Sequence, residues 1–150
     1  MDTTTTSQSA ADGWTLGLCA SALPALTPAE TIALAREHNY VCIEWRVESE
    51  RARGRQGGAP ARNTLFMERL SEEAEALATD VHAAGLHSCG LQVDLPADDP
   101  TVMRAILEAA RVLGVRHVCI RPPAFDPRQG YLKQRYAFRD VLASWLRQAE

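Results

Sequence analysis

Val41-Cys42-Ile43-Glu44-Trp45-Arg46-Val47 is the stretch that decides the fold. Successive side chains of a strand point to opposite faces. Val41, Ile43 and Trp45 therefore share one face, and Cys42, Glu44 and Arg46 share the other. The first face asks for helices packed on it. The second carries a carboxylate and a guanidinium, which cannot sit under a helix without partners.

The same split recurs along the chain. Trp14 to Cys19, His87 to Val93 and Arg116 to Arg121 also read as strands. Their apolar sides are Leu16 and Leu18, then Cys89, Leu91 and Val93, then Val118 and Ile120. Their other sides are Thr15, Gly17 and Cys19, then Ser88, Gly90 and Gln92, then His117, Cys119 and Arg121. In an open parallel sheet helices cover both faces, and strands are apolar nearly throughout. Four strands with one small or polar face fit a barrel lumen instead. The larger polar residues lie toward the C-terminal strand ends, where barrel enzymes keep their sites.

Helix signals fall between the strands. Thr27-Pro28-Ala29-Glu30 is a capping box with Pro in the first turn, and that helix runs to about His38. Asn39 suits the left-handed residue that ends it. Leu70, Leu77 and Val81, with Ala74 and Ala84 beside them, make the stripe of a second helix closed by Gly85. Asp99-Pro100 opens a third, striped by Val102, Ile106, Ala109 and Leu113 and ended by Gly114. Phe138, Val141, Leu142, Trp145, Leu146 and Ala149 form the apolar face of a fourth. The chain is thus an α/β protein of four βα units, half of a (βα)₈ TIM barrel with parallel strands, over residues 14–150. Residues 1–13, rich in Thr, Ser, Ala and Asp, read as a disordered tail. A full barrel takes about 250 residues, and this chain has 150. The last helix reaches Glu150 without a Gly or Asn cap. The expectation is a fragment, or a half-barrel that pairs through open sheet edges as a homodimer.

Composition narrows the classes. Apolar residues are 46%, charged residues 23%, and the net charge is −3. Nothing points to nucleic acid or a polyanion, and no apolar run approaches the roughly 20 residues of a membrane span. A secretory signal is absent, so a cytoplasmic protein is expected. Cys19, Cys42, Cys89 and Cys119 form no CxxC pair and read as buried, reduced thiols.

These residues resemble the xylose isomerase-like TIM barrel family of sugar isomerases and epimerases, which also contains endonuclease IV. The similarity lies in Val41-Cys42-Ile43-Glu44-Trp45-Arg46 after His38-Asn39-Tyr40, in Ala84-Gly85-Leu86, and in Ala109-Ala110-Arg111-Val112-Leu113-Gly114-Val115. The resemblance implies a divalent metal of the Mg, Mn or Co class and metal-assisted proton transfer beside a sugar carbonyl. The implied ligands belong to later strands, so no metal ligand and no catalytic base is carried over. No His stands at the early strand ends where the nuclease branch has them.

The residues expected to bind a sugar-like substrate are Glu44, Arg46, Gln92 and Arg121. Glu44 and Arg46 share a face and suit hydroxyls or an acidic group; the alternative is an internal salt bridge between them. Arg121 suits a carboxylate, phosphate or carbonyl oxygen, or else partners Glu44 across the lumen. Asp94 reads as a solvated loop residue and His117 as a satisfied core histidine. Arg51, Arg53, Arg55 and Arg62 read as a solvated loop, with a lid as the alternative. Tyr131 either covers the mouth or packs on the fourth helix. Trp45 reads as core. Set against the isomerase reading is a truncated or half-barrel ligand-binding protein that self-associates without turnover, with an endonuclease IV-like nuclease as the third reading.

Overall fold

Local signals start and stop the helices as the chemistry of their ends requires. Thr27 accepts a hydrogen bond from the Glu30 backbone N–H, and Glu30 accepts one from the Thr27 backbone N–H, so both halves of the capping box form. Asp99 accepts from the N–H groups of Thr101 and Val102. Asn39, Gly85 and Gly114 take positive φ angles of 56°, 72° and 68° and turn the chain out of three helices.

The protein is described from a computed structural model covering residues 15–50, 61–94 and 99–149. The tail 1–13, Trp14, Arg51, Arg53 and Arg55 lie outside the described residues. The elements are β1 (Gly17–Cys19), α1 (Pro28–Glu37), β2 (Cys42–Glu48), β3 (Thr64–Phe66), α2 (Leu70–Ala83), β4 (His87–Val93), α3 (Pro100–Val112), β5 (His117–Ile120) and α4 (Tyr131–Ala149). No helix among the described residues is long and apolar enough to cross a membrane.

Every strand pair is parallel, and β1, β2, β4 and β5 lie side by side in chain order. Right-handed crossovers joining strands in sequential order send each helix to the same face of the sheet. A doubly wound sheet reverses its order partway, and these strands do not. The architecture is that of half a (βα)₈ barrel.

The strand the sequence reading lacks is β3. It pairs with β2 through Arg46↔Thr64, Val47↔Leu65 and Glu48↔Phe66. β1 pairs with β2 only over Cys42 to Glu44, and β4 takes the opposite edge through Val47. β3 therefore continues the edge that β1 leaves. Buried Asn63 locks it there, donating to the carbonyls of Ala20 (2.8 Å) and Leu23 (2.9 Å) and to Thr31 Oγ1 (3.3 Å).

The apolar faces pack as expected on the two central strands. Ile43, Trp45 and Val47 on β2, and Leu91 and Val93 on β4, are all fully buried. Burial of an Ile or Leu side chain stabilises by about 1.5–3 kcal/mol. Leu70, Ala74, Leu77 and Val81 of α2, and Met103, Ile106 and Ala109 of α3, close over them. Met103 faces inward more fully than Val102, which is only partly buried. Two apolar expectations fail. Leu16 precedes the short β1 and is exposed; on α4 Trp145 is buried while Leu142 and Leu146 are exposed. α4 packs on α3 through one side of its apolar stripe, and the rest meets solvent.

Parity also fails at one point of β4. The register runs Cys42↔His87, Ile43↔Ser88, then Glu44↔Gly90, so one β4 residue, Cys89, has no partner. This β-bulge reverses the faces of the residues before it. Ser88, expected on the polar face, is buried on the helical side and accepts from Trp45 Nε1 at 3.1 Å. Cys89, expected under the helices, turns to the open face beside Cys42 and Gly17.

Ser88→Ala leaves the buried indole N–H of Trp45 without its acceptor. Stability measured by urea unfolding should fall by roughly 1–3 kcal/mol. An unchanged midpoint would show that this bond contributes nothing.

Candidate functional site

Strand register arranges the open face in layers. Gly17 and Cys42 form the lowest. Cys19, Glu44, Gly90 and His117 lie side by side above them. Thr64, Arg46, Gln92 and Cys119 make the next layer. At the C-terminal mouth stand Glu48, Asp94 and Arg121. The Asp94 backbone N–H donates to the Val47 carbonyl at 3.0 Å, which holds this residue against β2.

Asp94 is the hub of the mouth. Its Oδ2 is hydrogen-bonded and ion-paired to Arg46 Nη2, and its Oδ1 takes Arg121 Nε at 3.1 Å. Arg46 Nη2 also meets Glu48 Oε1 at 2.7 Å. The Asp94 carboxylate is 12% exposed and the Arg121 side chain 63%, so Arg121 is anchored at one end and open at the other. This corrects two expectations. Asp94 is a paired carboxylate rather than a solvated loop residue. Arg121 is held by Asp94, and the Glu44 partnership is not formed.

Glu44 and Arg46 share the open face but do not bridge; Arg46 turns upward to Glu48 and Asp94. Glu44 lies against Gly90, where a Cβ would stand 3.5 Å from its Cγ. It has no hydrogen bond or ion pair among the described residues. Gln92 Oε1 accepts from Ser21 Oγ at 3.4 Å, and Ser21 is 3.1 Å from Cys19 Sγ. Ser21 was not legible as a site residue, because its contact with Gln92 spans 71 positions. Of the four expected substrate residues, Arg46 and Arg121 share Asp94, and Glu44 and Gln92 lie in the layers beneath it.

The remaining candidates separate from this cluster. His117 is exposed on the open face rather than a core histidine. The strand it sits on is at the sheet's edge, so nothing covers it from the β5 side among the described residues. Tyr131 is 64% exposed at the start of α4. Arg62 donates to the Ala25 carbonyl at 3.2 Å and pairs with Glu30 at 3.8 Å, which ties it to the start of α1. A groove lined by Arg104, Leu107, Glu108, Arg111 and Gln148 lies between α3 and α4, on the helical side and away from this face.

The thiols are free. Cys119 is exposed and Cys19, Cys42 and Cys89 are only partly buried, which corrects the expectation of four buried thiols. Cys89 is pushed up to about 12 by burial, then by its hydrogen bond with Cys42, with the charge of Glu44 adding to both. It stays a thiol at neutral pH. Gly17 leaves room for the pair, since a Cβ there would lie 2.8 Å from Cys42 Sγ.

The divalent metal implied by the resemblance does not fit these residues. Among the described residues no group of three His, Cys, Asp or Glu side chains is placed to hold an ion. Two of the three carboxylates near the mouth, Glu48 and Asp94, are already held by Arg46. No chemistry of this face is assigned to a metal.

No protein-family model matches the chain, and no curated protein matches it. Among solved structures, a crystal structure of a xylose isomerase domain containing protein from Salmonella typhimurium LT2 is similar, with a TM-score of 0.45 and 13% identity. The match covers 86% of this chain and 45% of that one, so the matched part spans less than half of that protein's length.

Asp94→Asn should lower stability in urea unfolding by about 1–3 kcal/mol, with most of the loss from its half-buried bond to Arg46. Arg121, being largely exposed, adds little. In an Arg46→Met background the same substitution should cost less, because the two side chains are in contact. Equal costs in both backgrounds would remove Asp94 as the hub.

Proposed function

We propose that this chain forms the substrate-binding half of a barrel that isomerises or epimerises a small sugar or sugar-like hydroxy-ketone. The observation that carries the reading is the Arg46–Asp94–Arg121 cluster at the C-terminal strand ends, standing over the carboxylate of Glu44, which has no ion pair among the described residues. Such a reaction needs two things of a protein. A cationic donor must stabilise the oxygen of the carbonyl as negative charge develops on it. A base must take the proton from the neighbouring carbon and return it to the adjacent carbon or to the other face.

Arg121 supplies the donor. Asp94 orients its Nε, which leaves the exposed end of the guanidinium for a carbonyl oxygen. Glu44 supplies the carboxylate, since no guanidinium among the described residues holds it. Arg46 and Gln92 bind and orient the hydroxyls in the layer between. A divalent cation enters this reading only through ligands outside the described residues, and no step above depends on one.

The test is proton exchange. The protein is incubated in D₂O with a panel of aldoses and ketoses, and deuterium at the carbon beside the carbonyl is followed by NMR. Exchange into one sugar is expected, and Glu44→Gln and Arg121→Ala should each slow it by a factor of at least about 100. No exchange with any sugar, or full exchange in both variants, would remove the reading.

A second reading is favoured by the free outer edge of β5, which pairs only with β4 among the described residues. Open edges recruit strands, so two copies could close a barrel around one axis and bind ligand without turnover. Light scattering of the purified protein should then give twice the chain mass. A monomer at all concentrations would sink it.

A further inference from the structure

The open face carries two groups that the proposed chemistry leaves unused, the thiols of Cys42 and Cys89. Both are free and partly buried. The bulge in β4 sets Cys89 between the residues that pair with Ile43 and Glu44, and turns its side chain to the face that carries Cys42. Two contacts bring the sulfurs together. The thiols share a hydrogen bond. Both also crowd one point beside β1, since a Cβ on Gly17 would stand 2.8 Å from Cys42 Sγ and 3.7 Å from Cys89 Sγ. The glycine at position 17 is what leaves room for the pair.

The other two thiols are placed differently. Cys19 Sγ lies 3.1 Å from Ser21 Oγ. Cys119 sits on β5, with β4 between it and β2, and its register partner is Gln92. The backbones beneath Cys42 and Cys89 are fixed from the far face, where Ile43, Trp45 and Leu91 are fully buried. Closing the two sulfurs to a bonded distance of about 2.05 Å is therefore a matter of side-chain rotation.

We propose that Cys42 and Cys89 form a dithiol that a peroxide closes to a reversible disulfide, tying β2 to β4 beneath Glu44. The inference stands apart from the isomerase reading, since it needs neither a sugar nor turnover. Cys89 stays a thiol at neutral pH, so the first attack falls to Cys42. Cys42 Sγ takes the outer oxygen of the peroxide as the O–O bond breaks, giving a sulfenic acid and water. Cys89 Sγ then attacks Cys42 Sγ, the S–O bond breaks, and the hydroxide leaves as water with the Cys89 proton. The two thiols lose two electrons and two protons, and one hydrogen peroxide becomes two waters.

The full chain is treated with stoichiometric hydrogen peroxide, the remaining thiols are alkylated, and the digest is mapped by mass spectrometry. Titratable thiols should fall from the four of the reduced chain to two, and one cross-linked peptide pair should join Cys42 to Cys89. Dithiothreitol should restore all of them. The protein substituted Cys19→Ser and Cys119→Ser should still form the link within one chain, running as a monomer on a non-reducing gel. Gly17→Ala, which puts a Cβ against Cys42 Sγ, should lower the yield of the link several-fold, with far-UV circular dichroism as the check on folding. Absence of the link in the unsubstituted chain overturns the proposal, whether the thiols stay reduced or go on to sulfinic acids. Cross-links that run only through Cys119 between chains overturn it as well. Should Gly17→Ala fail to fold, the unsubstituted and doubly substituted proteins still decide.

Discussion

Everything on the open face depends on one stripe of burial behind it. Ile43, Trp45 and Val47 on β2, with Leu91 and Val93 on β4, are packed out of solvent against α2 and α3. A strand has only two faces, and its side chains alternate between them. Once those residues are committed to the helices, Cys42, Glu44, Arg46 and Gln92 must project the other way. The site is therefore a by-product of the core: shifting β2 by one residue would bury Glu44 and Arg46, at a cost no hydrophobic gain would offset.

The bulge at Cys89 is the one place where this constraint is relaxed. It gives β4 an extra residue, which lets Ser88 serve the core as acceptor for Trp45 while Gly90 and Gln92 stay on the open face. Gly90 then leaves space for Glu44 in the same layer. Bulges tend to re-aim side chains near sites, and this one brings two thiols together below a carboxylate. The burial and charge around Cys89 keep it protonated at neutral pH, which makes it a poor nucleophile.

Order at the mouth comes from charge rather than packing. Asp94 collects Arg46 from β2 and Arg121 from beyond β5, tying together the ends of three neighbouring strands, β2, β4 and β5. Charge-assisted bonds of this kind fix the direction of a guanidinium as well as its position. Arg121 is consequently oriented while still open to solvent, a state suited to meeting a ligand. Asn63 does comparable work on the other side, holding β3 and Thr64 against the turn that follows β1.

The amino-acid order by itself determined the local elements and the two-faced character of the strands. Caps at Thr27, Asp99, Asn39, Gly85 and Gly114 act within a few residues, and period-two alternation is a property of the strand alone. That was enough to place Glu44, Arg46 and Gln92 on one open face. Gly90 within a strand was the one available warning of the bulge. The rest needed the tertiary structure, because it rests on contacts between residues far apart in the chain. Which carboxylate holds Arg121, the pairing of Thr64 with Arg46, and the bond from Ser21 to Gln92 all follow from strand register. Register arises from the packing of whole strands and from bulges that shift them by a residue, and no local pattern carries it.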